Sequence, residues 1–194
     1  MLRRLLVLPL MLLLAACSKA PETSAVQPAV AIEPADECHL CGMIIEEQPG
    51  PKGQLYLRGD SAARKFCSVA EMFAFLLQPE HRERVNAAYV HDVAAGTWSA
   101  PNDEAFVPAR EAWYVLGHDQ AGSMGHALAS FRDKSAAEAF AQQHGGKVLA
   151  FDQIDLDALS HGRPQGHGGS GHHGDHTQHG DHPHQSSHAQ HNSH

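Results

Sequence analysis

FCSVAEMFAF, residues 66–75, has a loose counterpart in FRDKSAAEAFA, residues 131–141. In the first stretch Ser68 stands where an N-cap belongs, ahead of a run over 69–78 in which Met72, Phe73, Leu76 and Leu77 recur at helical spacing until Pro79 stops it. Upstream, 54–58 alternates as a strand and 62–66 reads as a second; downstream, 85–93 supplies another extended segment. Around the second stretch, 113–116 and 127–131 read as strands. Asp133 is placed to cap a helix through Ala136, Ala137, Phe140 and Ala141, Gly145 and Gly146 end it, and 147–151 closes the unit. Each half therefore reads strand, strand, helix, strand. The fold class expected is α+β, two similar small ββαβ units, over 38–98 and 99–160. One unit of this length buries too little apolar surface to stand alone, so the pair is expected to share a core. A single irregular α+β domain with chance likeness between its halves is the alternative.

Outside 38–160 the composition changes. Residues 1–16 read as a processing signal: Arg3 and Arg4 precede a nearly unbroken apolar run, and Leu14-Ala15-Ala16-Cys17 follows. The run is shorter than the roughly 20 residues a membrane span takes. A small-residue site ending in Cys resembles the lipobox of bacterial lipoproteins, in which Cys17 would be lipidated and become the first mature residue. Ser18 then favours the outer membrane over the inner, with the protein facing the periplasm. Residues 17–37, rich in Ala, Pro, Glu, Ser and Thr, are expected to be a flexible, disordered tether. Residues 161–194 carry eleven of the seventeen His among Gly, Ser, Gln and Asp, and are expected to be a disordered tail.

Without Arg3 and Arg4 the 14 basic side chains fall to 12 against 22 acidic ones, a formal charge near −10. That balance excludes a nucleic-acid footprint. It attracts cations and basic partners weakly and serves solubility.

ECHLCGMIIEE, residues 37–47, holds the chemistry. Cys38 and Cys41 form a C-x-x-C, which four chemistries use. A c-type haem needs His after the second Cys, and Gly42 stands there. A thioredoxin-type pair belongs at a helix N-terminus after a strand, whereas this pair precedes the first expected strand. Structural zinc needs two more ligands, for which Cys67 with His81 or His91 are the available residues. The fourth is a soft-metal site, which Met43 favours because thiolate and thioether together suit Cu(I). In an extended segment Cys41 and Met43, two apart, point to one face. A Cys38–Cys41 disulfide with Met43 in the core remains open at this point. Met124, in the Gly-flanked turn of GSMGHALASF at 122–131, is a second thioether that a pseudosymmetric pairing of the units brings toward Cys41 and Met43.

At these residues the sequence resembles the NosL family, accessory lipoproteins of nitrous oxide reductase maturation. The likeness rests on the lipobox at Cys17, CHLCGM at 38–43, RKFCSVAEMFAFL at 64–76 and GSMGHALASF at 122–131, and covers roughly 38–151. It implies two similar ββαβ units and a non-enzymatic chaperone that carries Cu(I) to the copper-sulfide centre of the nitrous oxide reductase apoprotein, a denitrification partner. It implies Cys41 as thiolate anchor, Met124 as the thioether from the other unit and Met43 as the third ligand. Cys38 is an alternative ligand, or the partner whose oxidation with Cys41 disables the site. Cys67 stands where the family often has an acidic residue, and reads as a buried thiol near a helix start.

The tail is not required by the resemblance. Neutral imidazoles, among them His167, His172, His173, His176, His179, His182 and His184, bind Cu(II), Zn(II) or Ni(II), and a flexible tail of them raises the local metal concentration. Two other functions compete: an envelope thiol-disulfide oxidoreductase using Cys38 and Cys41, and a metal buffer centred on the tail.

Overall fold

The computed structural model describes residues 26–123 and 125–161. The expected signal and lipidation segment with Cys17, the residue Met124 and the His-rich tail from 162 onward lie outside the described residues.

The first half contains β1 (Gly53–Leu57), β2 (Arg64–Phe66), helix α1 (Val69–Leu76), a four-residue helix α2 (Pro79–Arg82) and β3 (Val85–His91). The second contains β5 (Trp113–Gly122), β6 (Gly125–Phe131), helix α3 (Lys134–His144) and β7 (Lys147–Ala150), followed by helix α4 (Leu156–His161). Between them a three-residue strand β4 (Phe106–Pro108) joins the first sheet. The strand orders are β2-β1-β3-β4 and β6-β5-β7, antiparallel throughout. In each half the opening strand is thus central, its hairpin partner lies on one side, and the strand after the helix lies on the other. The fold is α+β with two small sheets, and the repeated ββαβ order expected from the sequence is present.

The local signals act as expected at most boundaries. Ser68 is extended at the N-cap of α1, and its side chain accepts from the Glu71 N–H, one of the helix's orphan donors. The helix ends at Leu76, and Pro79 opens α2 at a position where its missing N–H costs nothing. Asp133 occupies the N-cap of α3 but makes no side-chain hydrogen bond to it. Gly145 and Gly146, at φ 75° and 95°, turn the chain into β7.

The two helices bury different amounts. Val69, Met72, Phe73, Phe75 and Leu76 of α1 are all buried, so apolar residues occupy most of its circumference. It packs on β1 and β2 on one side and on β6 on another. Gly53 of β1 lies so close to Met72 that a Cβ there would stand 2.7 Å from the methionine sulfur. The Phe73 ring meets Tyr114 edge-on at 5.1 Å and Phe151 at 5.2 Å. One apolar cluster consequently includes Leu55, Phe66 and Val90 from the first half with Tyr114, Leu128 and Leu149 from the second. The shared core is complemented by a buried polar link, Ser130 Oγ donating to the His91 carbonyl at 2.6 Å. Helix α3, by contrast, buries only Ala137 fully and covers a smaller cluster of Val115, Ala129 and Phe131.

Three expectations need correction. The tether expected over 17–37 is tied down from residue 27. Tyr89 and Tyr56 hydroxyls donate to the carbonyls of Gln27 and Pro28, the Gln54 amide bonds both N–H and C=O of Val30, and the Ile32 N–H donates to Asp103. Backbone groups that composition assigned to solvent are satisfied by side chains of the first sheet and by Asp103 in the turn that precedes β4. Strand β5 runs six residues past its expected end at 116, because the ladder to β6 shifts register between Leu116 and Ala121 and then resumes. Finally, 41–43 is not extended, as described below.

His91 has neighbours that fix its tautomer. Its Nδ1 accepts from the Lys52 N–H at 3.2 Å, so Nε2 carries the hydrogen toward Asp103 Oδ1, 2.9 Å away. A second proton on Nδ1 would face another donor. Burial lowers the His91 pKa to about 4 against the opposing pull of Asp103, and burial does the same to His118. Both groups take up protons in the unfolded chain near pH 6.5 but in the folded one only near 4. Their contribution is therefore complete above pH 6.5 and is lost as pH falls toward 4, with a slope of up to about 1.4 kcal/mol per pH unit for each. Urea unfolding of the metal-free protein at steps between pH 7 and 4.5 should show stability falling with pH. The His91→Asn variant should lose roughly one proton's worth of that slope.

Candidate metal centre

The motif loop at 38–43 is built by backbone hydrogen bonds. Glu37 and Ile44 form an isolated antiparallel bridge, the Cys38 N–H donates to the Met43 carbonyl at 2.8 Å, and the Gly42 N–H donates to the Cys38 carbonyl at 2.8 Å. Gly42 has φ 75°, a conformation that favours glycine. The chain therefore reverses between Cys41 and Met43, and the two side chains do not share the face of an extended strand. Met43 is half-buried and packs against the main core, while Cys41 is exposed. The His39 N–H donates to the Lys65 carbonyl at 2.8 Å, which fixes the loop to β2.

That attachment sets the loop against the start of α1. Cys38 and Cys67 are buried and Cys41 is exposed, and all three are free thiols. The sulfurs of Cys41 and Cys67 are 3.7 Å apart. Cys38 Sγ lies 3.4 Å from Glu71 Oε2, and the Cys67 thiol donates to the same oxygen. One donor atom from each of Cys38, Cys41, Cys67 and Glu71 falls within 4.8 Å of all the others.

Protons in this group are redistributed. The Cys38 pKa is lowered, chiefly by its hydrogen bond with Cys67, and the same contact raises that of Cys67, with burial adding to the rise. Cys38 is thus the readier thiolate, and Cys67 holds its proton. Burial raises the pKa of Cys41, and burial also raises that of Glu71. Lys52, buried nearby with its ammonium donating to the Gln48 carbonyl, is lowered to about 8 by burial.

Three sulfurs are soft donors and suit a monovalent copper ion, which accepts two or three of them without demanding geometry. Glu71 adds a harder oxygen, so the four together can also surround a four-coordinate ion. The second half reaches the same place. Ser123, at the end of the β5–β6 ladder where Gly122 pairs with Gly125, puts its Oγ 3.4 Å from Cys67 Sγ. Met124, the next residue, lies outside the described residues.

Of the residues expected from sequence, Cys38 and Cys41 are together, and Met43 is on the same loop but packed inward. The zinc alternative is not assembled: His81 stacks on Phe75 with centroids 3.8 Å apart, His91 is held by Lys52 and Asp103, and neither belongs to the donor group. Cys67 is a buried thiol beside the helix start, as expected, and it also belongs to the cluster, whereas Glu71 was missed altogether. The one sequence signal it carries is local. Ser68-x-x-Glu71 fits a capping box, in which the Glu side chain returns to the N-cap N–H; here the carboxylate meets the thiols instead.

The chain is similar to proteins already described. It is 42% identical over 156 residues to the "Copper-binding lipoprotein NosL" of Stutzerimonas stutzeri, covering 80% of this chain and 81% of that one. It is 35% identical over 161 residues to the protein of the same name from Achromobacter cycloclastes, covering 81% and 82%. Among solved structures, "Crystal structure of the copper chaperone NosL from Shewanella denitrificans" aligns with a TM-score of 0.66 at 48% identity, over 67% of this chain and 97% of the other. The family model described as NosL matches residues 29–159; with the fold and the thiol cluster as described, the chain belongs to the NosL family.

Proposed function

We propose that this protein is a Cu(I) chaperone that hands copper to the apoprotein of nitrous oxide reductase and performs no catalytic step. The observation that carries the reading is the gathering of Cys38, Cys41, Cys67 and Glu71 donor atoms within 4.8 Å, with Cys41 open to solvent. A buried cluster keeps bound metal from water, whereas one exposed ligand gives a partner's thiolate or thioether a place to enter. Transfer then proceeds through mixed-ligand intermediates in which low-coordinate Cu(I) keeps at least two soft donors.

Cys41 is the proposed anchor, with Met43 and Met124 as thioether donors and Cys38 as an alternative thiolate. Support for Met124 comes from its neighbour Ser123, whose hydroxyl touches Cys67. Met43 would reach the ion by turning out of its half-buried position against the core, a small adjustment for an unbranched side chain. The relatives' names, copper-binding lipoprotein and copper chaperone, agree with copper as the cargo. The lipoprotein name agrees with lipidation at Cys17 and an envelope anchor, for which we propose the periplasmic side of the outer membrane. The His-rich tail is proposed to hold Cu(II), Zn(II) or Ni(II) and to raise metal concentration near the site.

Competition between the reduced protein and a Cu(I) chelator tests the site. Loss of a second-shell group typically costs 10–100-fold in metal affinity. Cys41→Ser removes a ligand and should cost at least about 100-fold, or about 2.8 kcal/mol. Met124→Leu should cost less but more than tenfold. Unchanged affinity in both variants would eliminate this donor set. Deleting residues 161–194 should leave the tight Cu(I) step in place while removing weaker Cu(II) binding, which isothermal titration calorimetry separates. Loss of the tight step on that deletion would transfer the function to the tail.

A further inference from the structure

Cys67 is buried with no exposed surface, yet its sulfur stands 3.7 Å from that of Cys41, which is exposed on the motif loop. The pair joins two segments 26 residues apart. A disulfide places its sulfurs about 2.05 Å apart, so closure asks for an approach of under about 2 Å between side chains already in contact. The loop carrying Cys41 turns at Gly42, where φ is 75°, and Cys67 precedes the N-cap Ser68, outside the helical hydrogen-bond ladder. Both positions tolerate a change of side-chain rotamer more easily than a residue inside a helix or strand. Cys38 is differently placed. It hydrogen-bonds Cys67 as well, but it is buried beside Glu71 Oε2 and so does not offer its sulfur to an incoming disulfide as the exposed Cys41 does. The hydrogen bonds of Cys38 to Met43 and of Gly42 to Cys38 hold it within the same tight loop as Cys41.

We propose that Cys41 and Cys67 form a redox-reactive disulfide site, in which the exposed thiol meets the oxidant and the buried thiol resolves it. The oxidant is a disulfide of the envelope, small-molecule or protein. The Cys41 sulfur, having lost its proton, attacks one sulfur of that disulfide; a mixed disulfide forms and the other half leaves as a thiolate that takes up the proton. Cys67 gives its proton to the Glu71 carboxylate it already donates to, and its thiolate then attacks Cys41 Sγ. The Cys41–Cys67 bond forms, the mixed disulfide breaks, and the second leaving thiolate takes the Cys67 proton. Two protein thiols are oxidised, one external disulfide is reduced to two thiols, and no other reactant is required.

The consequence rests on the reading of Cys41 as the copper anchor. The bridge ties up that anchor and links the motif loop to the start of α1, so only the reduced chain accepts Cu(I). Copper already bound to Cys41 withholds its sulfur from the oxidant. The loaded protein is thereby protected in a compartment where free thiol pairs oxidise, while the emptied protein closes until reduced.

Peptide mapping under non-reducing conditions tests the site directly. The full chain is stripped of metal, reduced, freed of reductant and exposed to oxidised glutathione, and its remaining thiols are alkylated. The expected product is a peptide pair linked through Cys41 and Cys67. In the same sample Cu(I) affinity should fall at least 100-fold and return with dithiothreitol, and one equivalent of Cu(I) added beforehand should slow closure at least tenfold. In Cys67→Ala the reaction should stop at glutathione on Cys41. A link from Cys38 to Cys41 or to Cys67 in the wild-type chain, a lasting glutathione adduct there, or unchanged closure in Cys67→Ala would overturn the assignment. The two readings fail separately: a bridge in a chain that does not bind Cu(I) when reduced removes the copper site alone, and tight Cu(I) binding without the bridge removes the disulfide site alone.

Discussion

Helix α1 is the constraint on which the rest depends. Its apolar residues leave almost no polar face, so it can be stable only between other layers. The first sheet supplies one layer through β1 and β2, and the second half supplies another through β6 and the Tyr114 and Phe151 rings. Neither ββαβ unit can cover this helix alone, which is why the repeat is expressed as one shared core. The same burial locates the chemistry. A helix fixed on several sides presents its first turn at one defined place, and Cys67 and Glu71 stand on either side of the Ser68 cap there.

The motif loop is then brought to that first turn by backbone contacts rather than by the thiols themselves. His39 bonds to Lys65, Cys38 to Met43, and Ile45 to Asp36. Aromatic contacts reinforce the attachment, since the His39 ring meets Phe66 and Phe75 edge-on at 5.9 Å and 5.2 Å. Such preorganisation reduces the ordering entropy a metal would otherwise have to offset. The exposed Cys41 is the exception in this otherwise fixed group, and exchange of a ligand needs an exposed member.

Much of this order could be read in the sequence because it is local. Ser68, the spacing of Met72, Phe73 and Leu76, and the paired glycines after α3 each act within a few residues of where they stand. The parts that were not legible depend on partners far along the chain. The segment at 27–32 looks unstructured by composition, and Gln54, Tyr56, Lys65, Tyr89 and Asp103, 24 to 71 residues away, give its backbone a place. Strand β4 is three residues long and includes Pro108, a pattern too brief to register, and it is accommodated at a sheet edge where proline's missing N–H is harmless. Glu71 carries only the capping-box spacing from Ser68 as a sequence signal. Its actual partners, the thiols of Cys38 and Cys67, appear only once the loop and the helix are placed together. Cys38 and Cys41, whose spacing carries chemistry in itself, were visible from the start.

In the proposed function sulfur, not imidazole, holds the copper, even in a chain with seventeen histidines. X-ray absorption at the copper edge, on the full reduced chain loaded with one equivalent of Cu(I), tests this directly because sulfur and nitrogen scatter distinguishably at different distances. A first shell of two or three sulfurs is the result predicted. A shell dominated by nitrogen, with the multiple-scattering pattern of imidazole rings, would contradict it.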